Sequence, residues 1–393
     1  MLTTDGAIDL RIALISDFTG WGWAGCEELW AELARSALKQ GNEVAFVQSR
    51  DSVDEKKLRP LRELGLKLLS PGAGTEFASM VKRRASWRLG SLVAGWWSPF
   101  VNIPSYAPDI LFITVGNALP SLPFIHDLER SRALAIPYVI VCHNSSLFDT
   151  PIRREDQEII ARFYSGARRV LFVAQRTYKD AEHLLATNLR SVSIVRNPVN
   201  MIDAGALPMP DGPTARIATL GRLTMRSKGQ DVLLAALGSP QFKDADWILS
   251  IYGEGPHLEN LTKLAKHYGI VDRVAFKGHQ SDVRAIWTEN HLLAMSSRNE
   301  SAPLVIVEAM LCGRPCVVND VGGISEWVSE PETGFISSGI HVESFVAALD
   351  RAWSHRDQWA AIGEHARERA LQLIDPDPGG TALKILQEVV AER

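Results

Sequence analysis

Short apolar runs, each followed by a stretch with helical spacing, recur along almost the whole chain, and this alternation constrains the fold more than any other feature. Arg11 to Ser16, Val44 to Gln48, Ile110 to Thr114, Tyr138 to His143, Arg169 to Val173 and Val192 to Val195 read as strands. Helical stretches lie between most of them, beginning with Gly25 to Gln40, which Gly41 stops. Apolar runs this short are buried on both faces. Alternating with helices, they imply parallel strands joined by crossover helices. The series ends at Arg196-Asn197-Pro198-Val199, and a Pro/Gly-rich passage, Asp203 to Pro213, follows as a linker. It then restarts with strands at Ile217 to Leu220, Trp247 to Tyr252, Val274 to Lys277, Leu292 to Met295 and Cys316 to Val318. Helices are expected at Gly229 to Leu237, Pro256 to Tyr268 and Val283 to Thr288. The expected fold class is therefore α/β, with two Rossmann-like parallel-sheet domains facing across a cleft. The domains are 1–198 and 199–374, and a last helix over 375–393 crosses back to the first. Ligands of such sheets bind beyond the C-terminal strand ends.

Length agrees, since 393 residues exceed one comfortable core. Apolar content of 46% and charged content of 22% are those of a soluble globular protein, and a net charge of −4 makes no case for nucleic acid. No apolar run of about 18 residues suggests a membrane span. The start, MLTTDGAIDLRIALIS, lacks a basic segment and runs into a strand, so a cytoplasmic protein is expected. Cys26, Cys142, Cys312 and Cys316 lack zinc-like spacing.

The stretch RNESAPLVIVEAMLCGR, Arg298 to Arg314, carries the first chemical signal. Pro303 suits a helix start, Leu304 to Cys312 is apolar on every side and Gly313 fits the left-handed residue that ends a helix. Glu308 interrupts this oily helix, and Glu300 lies in the loop before it. A buried carboxylate requires partners. An ion pair with Arg314 or another arginine is one reading, and a ligand is the other. The helix follows strand Leu292 to Met295, so its N-terminus lies at the C-terminal sheet edge. There the N–H groups of Ala302, Leu304 and Val305 make an anion site. Arg222 and Lys228, in the loop after strand Ile217 to Leu220, bring two cations to the same edge, as a diphosphate requires.

In order, G-R-L at Gly221 to Leu223, K-G-Q-D-V-L-L-A-A at Lys228 to Ala236, Y-G-E-G-P at Tyr252 to Pro256, Glu300 and Glu308, and G-G-I-S-E at Gly322 to Glu326 resemble the family 4 retaining glycosyltransferases of GT-B fold. The resemblance is strong over roughly 215–335. It implies a nucleoside-diphosphate sugar as donor, a carbohydrate, lipid-linked or small-molecule acceptor, and no cofactor or metal. It places Arg222 and Lys228 on the diphosphate, Glu300 on the transferred sugar and Glu308 on the ribose. Leu304 and Val305 would meet the phosphate, and Gly253, Gly255, Gly278 and His279 the base and ribose. His143 would reach the donor sugar from the first domain. The loop Gly20 to Gly25, which includes Trp21, Gly22 and Trp23, would close on phosphates and acceptor. Two departures stand out: Pro303 replaces a common Gly, and that loop is bulky. Asp244-Ala245-Asp246 and Asp375-Pro376-Asp377 fall away from the cleft and suggest no metal site.

Two other readings compete. Gly20-Trp21-Gly22-Trp23-Ala24-Gly25 spells G-x-G-x-x-G, as in dinucleotide-dependent oxidoreductases. Asp17 to Thr19 separate it from the strand, and no ribose-binding acid ends the next strand. A non-catalytic sugar-nucleotide sensor on the same fold would carry the same donor motifs. Lys82 to Phe100, basic then Trp-rich, fits either an ordinary helix or a peripheral contact with membrane or acceptor. One hypothesis puts Trp21, Trp23, Trp96 and Trp97 on the acceptor side. Donor base, sugar, acceptor and oligomeric state do not follow from the residues.

Overall fold

The computed structural model describes residues 9–17, 23, 25–47, 54–69, 100–144, 152–199, 201 and 205–392. The chain divides into two compact units, 1–198 with 375–393 and 199–374.

In the first unit the strands are β1 Arg11–Ser16, β2 Glu43–Val47, β3 Lys67–Leu69, β4 Ile110–Val115, β5 Tyr138–Cys142, β6 Arg169–Phe172 and β7 Val192–Ile194. They form one parallel sheet in the order β3-β2-β1-β4-β5-β6-β7. Strands β1, β4 and β5 are buried almost throughout, which accounts for their unbroken apolar sequences. Alternate side chains feed two cores. Ala13, Ile15, Ile113 and Ile140 pack with the helices Leu122–Arg130 and Arg154–Ser165. Ile12, Leu14, Phe112 and Val141 pack under the helix Gly25–Lys39. The C-terminal helix Pro378–Ala391 completes this second core through Ala382, Leu383, Leu386 and Val389. It approaches closely, because a Cβ on Gly379 would stand 2.4 Å from the carbonyl oxygen of Glu32.

The second unit holds β8 Ala215–Leu220, β9 Trp247–Tyr252, β10 Val274–Gly278, β11 Leu292–Met295, β12 Cys316–Asn319 and β13 Gly334–Ser337. The order is β10-β9-β8-β11-β12-β13, again parallel. One face is covered by the helices Gln230–Leu237 and Val342–Ser354, the other by Leu304–Leu311 and Trp359–Leu373. The short strands β3 and β13 were not anticipated from the sequence. They have three and four residues and stand at the edges of their sheets.

In both sheets the strand order reverses at one place, between β1 and β4 and between β8 and β11. Loops leaving adjacent strands in opposite directions open a crevice there, the usual ligand position in a doubly wound sheet. Among the described residues no helix is long and apolar enough to cross a membrane.

Candidate functional site

The crevice between β8 and β11 brings together the residues singled out by motif. After β8 the chain turns at Gly221, with φ of 140°, and Leu223 anchors it in the core at 1% exposure. A short helix, Met225–Lys228, leads to Gly229 at φ of 60° and then to the helix Gln230–Leu237. Gly229 is required twice over. Its backbone is left-handed, and a Cβ would stand 2.0 Å from the carbonyl oxygen of Ser296. Lys228 folds back along Gly221, where a Cβ would make only an ordinary contact with the lysine stem at 3.5 Å, so the glycine answers to its φ rather than to space. Its ammonium lies 2.6 Å from Oε1 of Glu300, and Ser297 Oγ donates to the same oxygen at 2.8 Å. Glu300 is 9% exposed, so its carboxylate is held by this lysine and hydroxyl rather than by water. Its Oε2 has no partner among the described residues. The backbone carbonyl of Arg222 accepts from Gln230 Nε2 at 2.9 Å, which fixes the turn while the side chain stands exposed.

The helix Leu304–Leu311 starts immediately after β11 and its loop. Pro303 is the cap with φ of −70° rather than a residue of the first turn, and Gly313, at φ of 75°, follows the helix end. Burial is uneven in a useful way. Ile306, Val307, Ala309, Met310 and Leu311 are buried, while Leu304, Val305 and Glu308 share a half-open stripe one turn long. The backbone N–H groups of Leu304 and Val305 have no protein acceptor among the described residues. An anion there would meet both donors and the positive helix end. Glu308 closes the stripe. Burial raises its carboxyl to about 7, and no ion pair or hydrogen bond reaches it among the described residues.

The alternative reading of Glu308, an ion pair with Arg314, is therefore corrected. Arg314 is fully buried and donates to the carbonyls of Trp287, Asn290, Leu207, Cys312 and Pro208. All its donors are engaged in closing the helix end and tying down residues 207–208.

Beside this edge is a cavity of about 330 Å³, lined by Leu220, Gly221, Arg222, Tyr252, Gly253, Glu254, His279, Gln280 and Ile286. Glycine forms its walls because backbones meet there. A Cβ on Gly253 would stand 2.0 Å from Gly221 O, and one on Gly255 would stand 2.5 Å from Leu223 O. Gly253 N–H donates to Gly278 O at 2.7 Å, and Gly278 itself has φ of 68°. His279 is exposed at the mouth.

In the first unit His143 follows β5 directly, its N–H bonded to Val115 O at 3.1 Å. The ring is buried, its Nε2 has no partner among the described residues, and burial lowers its pKa to about 4, so it is neutral at pH 7. Asp17, at the crevice between β1 and β4, accepts from the N–H and Oγ of Ser121, and burial raises it to about 6. Buried Glu27 accepts from Ser16 Oγ and Cys26 Sγ. Sequence reasoning passed over Asp17 and Glu27, as it did Ser297. All three are common residues outside the motifs, and only the strand order shows that they lie at sheet edges. Trp23 leans on Trp30 with centroids 5.2 Å apart and donates to Glu28 Oε1 at 2.8 Å, so packing alone explains it. Gly25 opens the helix Gly25–Lys39, with space around it. Trp21, Gly22, Trp96 and Trp97 lie outside the described residues.

A family profile described as glycosyl transferases group 1 matches residues 210–369. The N-acetyl-alpha-D-glucosaminyl L-malate synthase of Bacillus anthracis is 34% identical over 130 residues, 32% of this chain and 33% of that protein. A GDP-mannose-dependent alpha-(1-6)-phosphatidylinositol monomannoside mannosyltransferase of Mycobacterium tuberculosis is 32% identical over 166 residues, 40% and 43% of the two chains. The chain thus spans less than half the length of these curated relatives. The crystal structure of Anabaena HepE in complex with UDP superposes with a TM-score of 0.71, covering 98% of this chain and 100% of that one. At 17% identity this speaks to fold. The profile match places a glycosyl transferases group 1 segment at residues 210–369, and the two parallel sheets share the GT-B fold of the solved neighbours.

Proposed function

We propose that this protein is a retaining glycosyltransferase that moves a hexose-type sugar from a nucleoside-diphosphate sugar to a hydroxyl of a carbohydrate, lipid-linked or small-molecule acceptor. The observation that carries this reading is the row Lys228, Glu300, Leu304, Val305 and Glu308 along one sheet edge beside the 330 Å³ cavity. A diphosphate at the helix N-terminus would meet two N–H groups and the Lys228 ammonium, with the exposed Arg222 guanidinium within its loop. The ribose hydroxyls would then donate to Glu308, and the base would occupy the cavity. On the other side, Oε2 of Glu300 is available to a hydroxyl of the sugar being transferred. His143, in the first unit, is proposed as a neutral hydrogen-bonding group for a sugar hydroxyl.

The chemistry these residues support is departure of the nucleoside diphosphate. As the bond between C1 and the phosphate oxygen breaks, its electron pair stays on that oxygen. Fixed cations and N–H groups stabilise the growing charge without reorganising. The acceptor hydroxyl attacks C1 on the face the phosphate leaves, and its proton passes to the departing phosphate oxygen. Glu300 is occupied by Lys228 and Ser297, and Glu308 stands one turn into the helix, so neither is cast as a nucleophile, and the two-carboxylate scheme of hydrolases is not invoked. The alpha linkages in the names of both curated relatives agree with retention from an alpha-configured donor. Charge neutralisation by Lys228, Arg222 and the helix also leads us to expect transfer without a divalent metal.

Turnover across UDP-, GDP- and ADP-sugars with a sugar, glycolipid and polyol acceptor panel, read as nucleoside diphosphate released, tests the assignment. Product with the donor's anomeric configuration and full rate in EDTA are expected. An inverted product refutes retention. Failure of every donor to yield nucleoside diphosphate refutes the enzyme reading in favour of a sensor.

A further inference from the structure

The turn that carries Lys228 is fastened to the loop that carries Glu300 by an unusual concentration of bonds. Met225 O accepts from Nη1 of Arg298 at 2.5 Å. Ser227 O accepts from the backbone N–H groups of Arg298 and Asn299, at 2.8 and 3.1 Å. Gly229 O accepts from Ser296 Oγ at 2.7 Å. The carbonyls of residues 225, 227 and 229, which bracket Lys228, are thus all taken by residues 296–299. Arg298 is at the centre. Besides Met225 O it grips Asp231 with both ends of its fork, Nη1 to Oδ1 and Nη2 to Oδ2, each at 2.7 Å. Asp231 lies in the first turn of the helix Gln230–Leu237, directly beyond the left-handed Gly229.

A bidentate guanidinium–carboxylate pair fixes direction as well as distance, which a single ammonium contact does not. Both side chains are only partly exposed, 28% for Arg298 and 22% for Asp231, so water competes weakly for them. Without the fork, the bonds to Ser227 O and Gly229 O would still hold the two loops together, yet leave the Met225 end of the short helix able to pivot about them. The fork closes this freedom by bonding on both sides of Lys228, at Met225 and at Asp231. Lys228, by contrast, makes one contact through its ammonium among the described residues, to Glu300.

We propose that Arg298, clamped on Asp231, is a positioning residue for Lys228: it sets the ammonium at the place where the leaving diphosphate gains charge. This rests on the donor-site reading above. The fork touches neither sugar nor phosphate and acts through the lysine. Displacement of a group by about 1 Å at a reacting centre can cost about 10² in rate, so loss of the fork should appear in kcat while donor KM moves little.

The test is a double-mutant cycle on the full chain: wild type, Arg298→Met, Lys228→Ala and the double variant, with Arg298→Lys and Asp231→Asn beside them. kcat and donor KM are measured with the best donor of the UDP-, GDP- and ADP-sugar panel, and Tm and near-ultraviolet circular dichroism report folding. The expected result is a kcat about 10- to 100-fold lower in Arg298→Met. Donor KM should stay within about threefold, and Arg298→Met should have no further effect once Lys228 is replaced by alanine. Arg298→Lys, which keeps one of the bonds, should recover part of the rate. Equal factors for Arg298→Met with Lys228 present and with Lys228→Ala in place, or a loss confined to KM, would overturn the positioning role. If Arg298→Met does not fold, Asp231→Asn with Lys228→Ala supplies the same cycle. Active wild type with an additive cycle refutes this proposal alone, whereas wild type inert with every donor refutes the donor-site reading and this proposal with it.

Discussion

The two sheet-reversal crevices of this protein are built alike and furnished differently. In the second unit the cations are tied to carboxylates, Lys228 to Glu300 and Arg298 to Asp231, with glycines where backbones touch, and among the site's carboxylates Glu308 is the one shifted by burial instead. In the first, His143 and Asp17 stand at the strand ends with burial rather than counter-charge shifting them, one to about 4 and the other to about 6. A site for a dianionic donor needs fixed charge, and fixed charge must be paired when empty. A site for neutral hydroxyls is better served by uncharged or weakly acidic groups that cost little to dehydrate. The contrast supports the proposed placing of the donor in the second unit and of polar, uncharged contacts in the first.

The largest effect should come from the charged side. Lys228→Ala is expected to lower kcat by about 10²–10³, the loss typical of one preorganised charge-stabilising donor, with the protein still folded. A variant within threefold of wild type would remove Lys228 from the leaving-group site.

Next comes backbone geometry. Gly229→Ala must place a Cβ against Ser296 O in a left-handed conformation, so a destabilisation above about 2 kcal/mol is expected in urea unfolding. An unchanged midpoint would mean that the two loops are not locked as described.

On the first unit's side, His143→Phe keeps the ring buried but removes its nitrogens. We expect kcat to fall about tenfold or more, because one neutral hydrogen bond to the sugar is lost. A neutral ring also means that titration of His143 should leave the rate between pH 6 and 8 unaffected.

Glu308 provides the smallest and most specific contrast, through pH. Its folded value, about 7, lies above that of an ordinary carboxylate, so native stability is favoured at low pH and is lost as pH rises through about 7. Glu308→Gln should therefore raise Tm at pH 8 and change it little at pH 4. On the proposed role, ribose binding needs the ionised form, so sugar-nucleotide affinity of the wild type should rise about tenfold from pH 6 to pH 8. That dependence should vanish in Glu308→Gln. A pH-independent Tm difference would show that burial does not hold the proton on Glu308.

Much of the second unit was legible in the sequence because its site residues lie in strand-to-helix loops whose ends are marked by glycine and whose strands are unmistakably apolar. Strands β1, β9 and β11 fall where their apolar runs suggested, and Gly313 ends its helix as expected. What stayed hidden depends on contacts between residues far apart in the chain. Nothing in the sequence says that Arg314 would be used up by carbonyls that include those at 207 and 208, or that Arg298, after β11, would find Asp231 in the helix that follows β8. Asp17 likewise gained meaning only when the strand order set it beside Ser121.

The central claim is that Glu308, Lys228 and the start of the helix Leu304–Leu311 form one grip on a nucleoside diphosphate. Titration calorimetry of UDP, GDP and ADP into wild type and Glu308→Ala at pH 8 tests it most directly. One of the three should bind the wild type and stabilise it by roughly 2.7 kcal/mol at 100-fold its Kd, and Glu308→Ala should bind that nucleotide at least about tenfold more weakly while remaining folded. Equal affinity for both proteins, or no binding of any of the three to the wild type, would contradict the account.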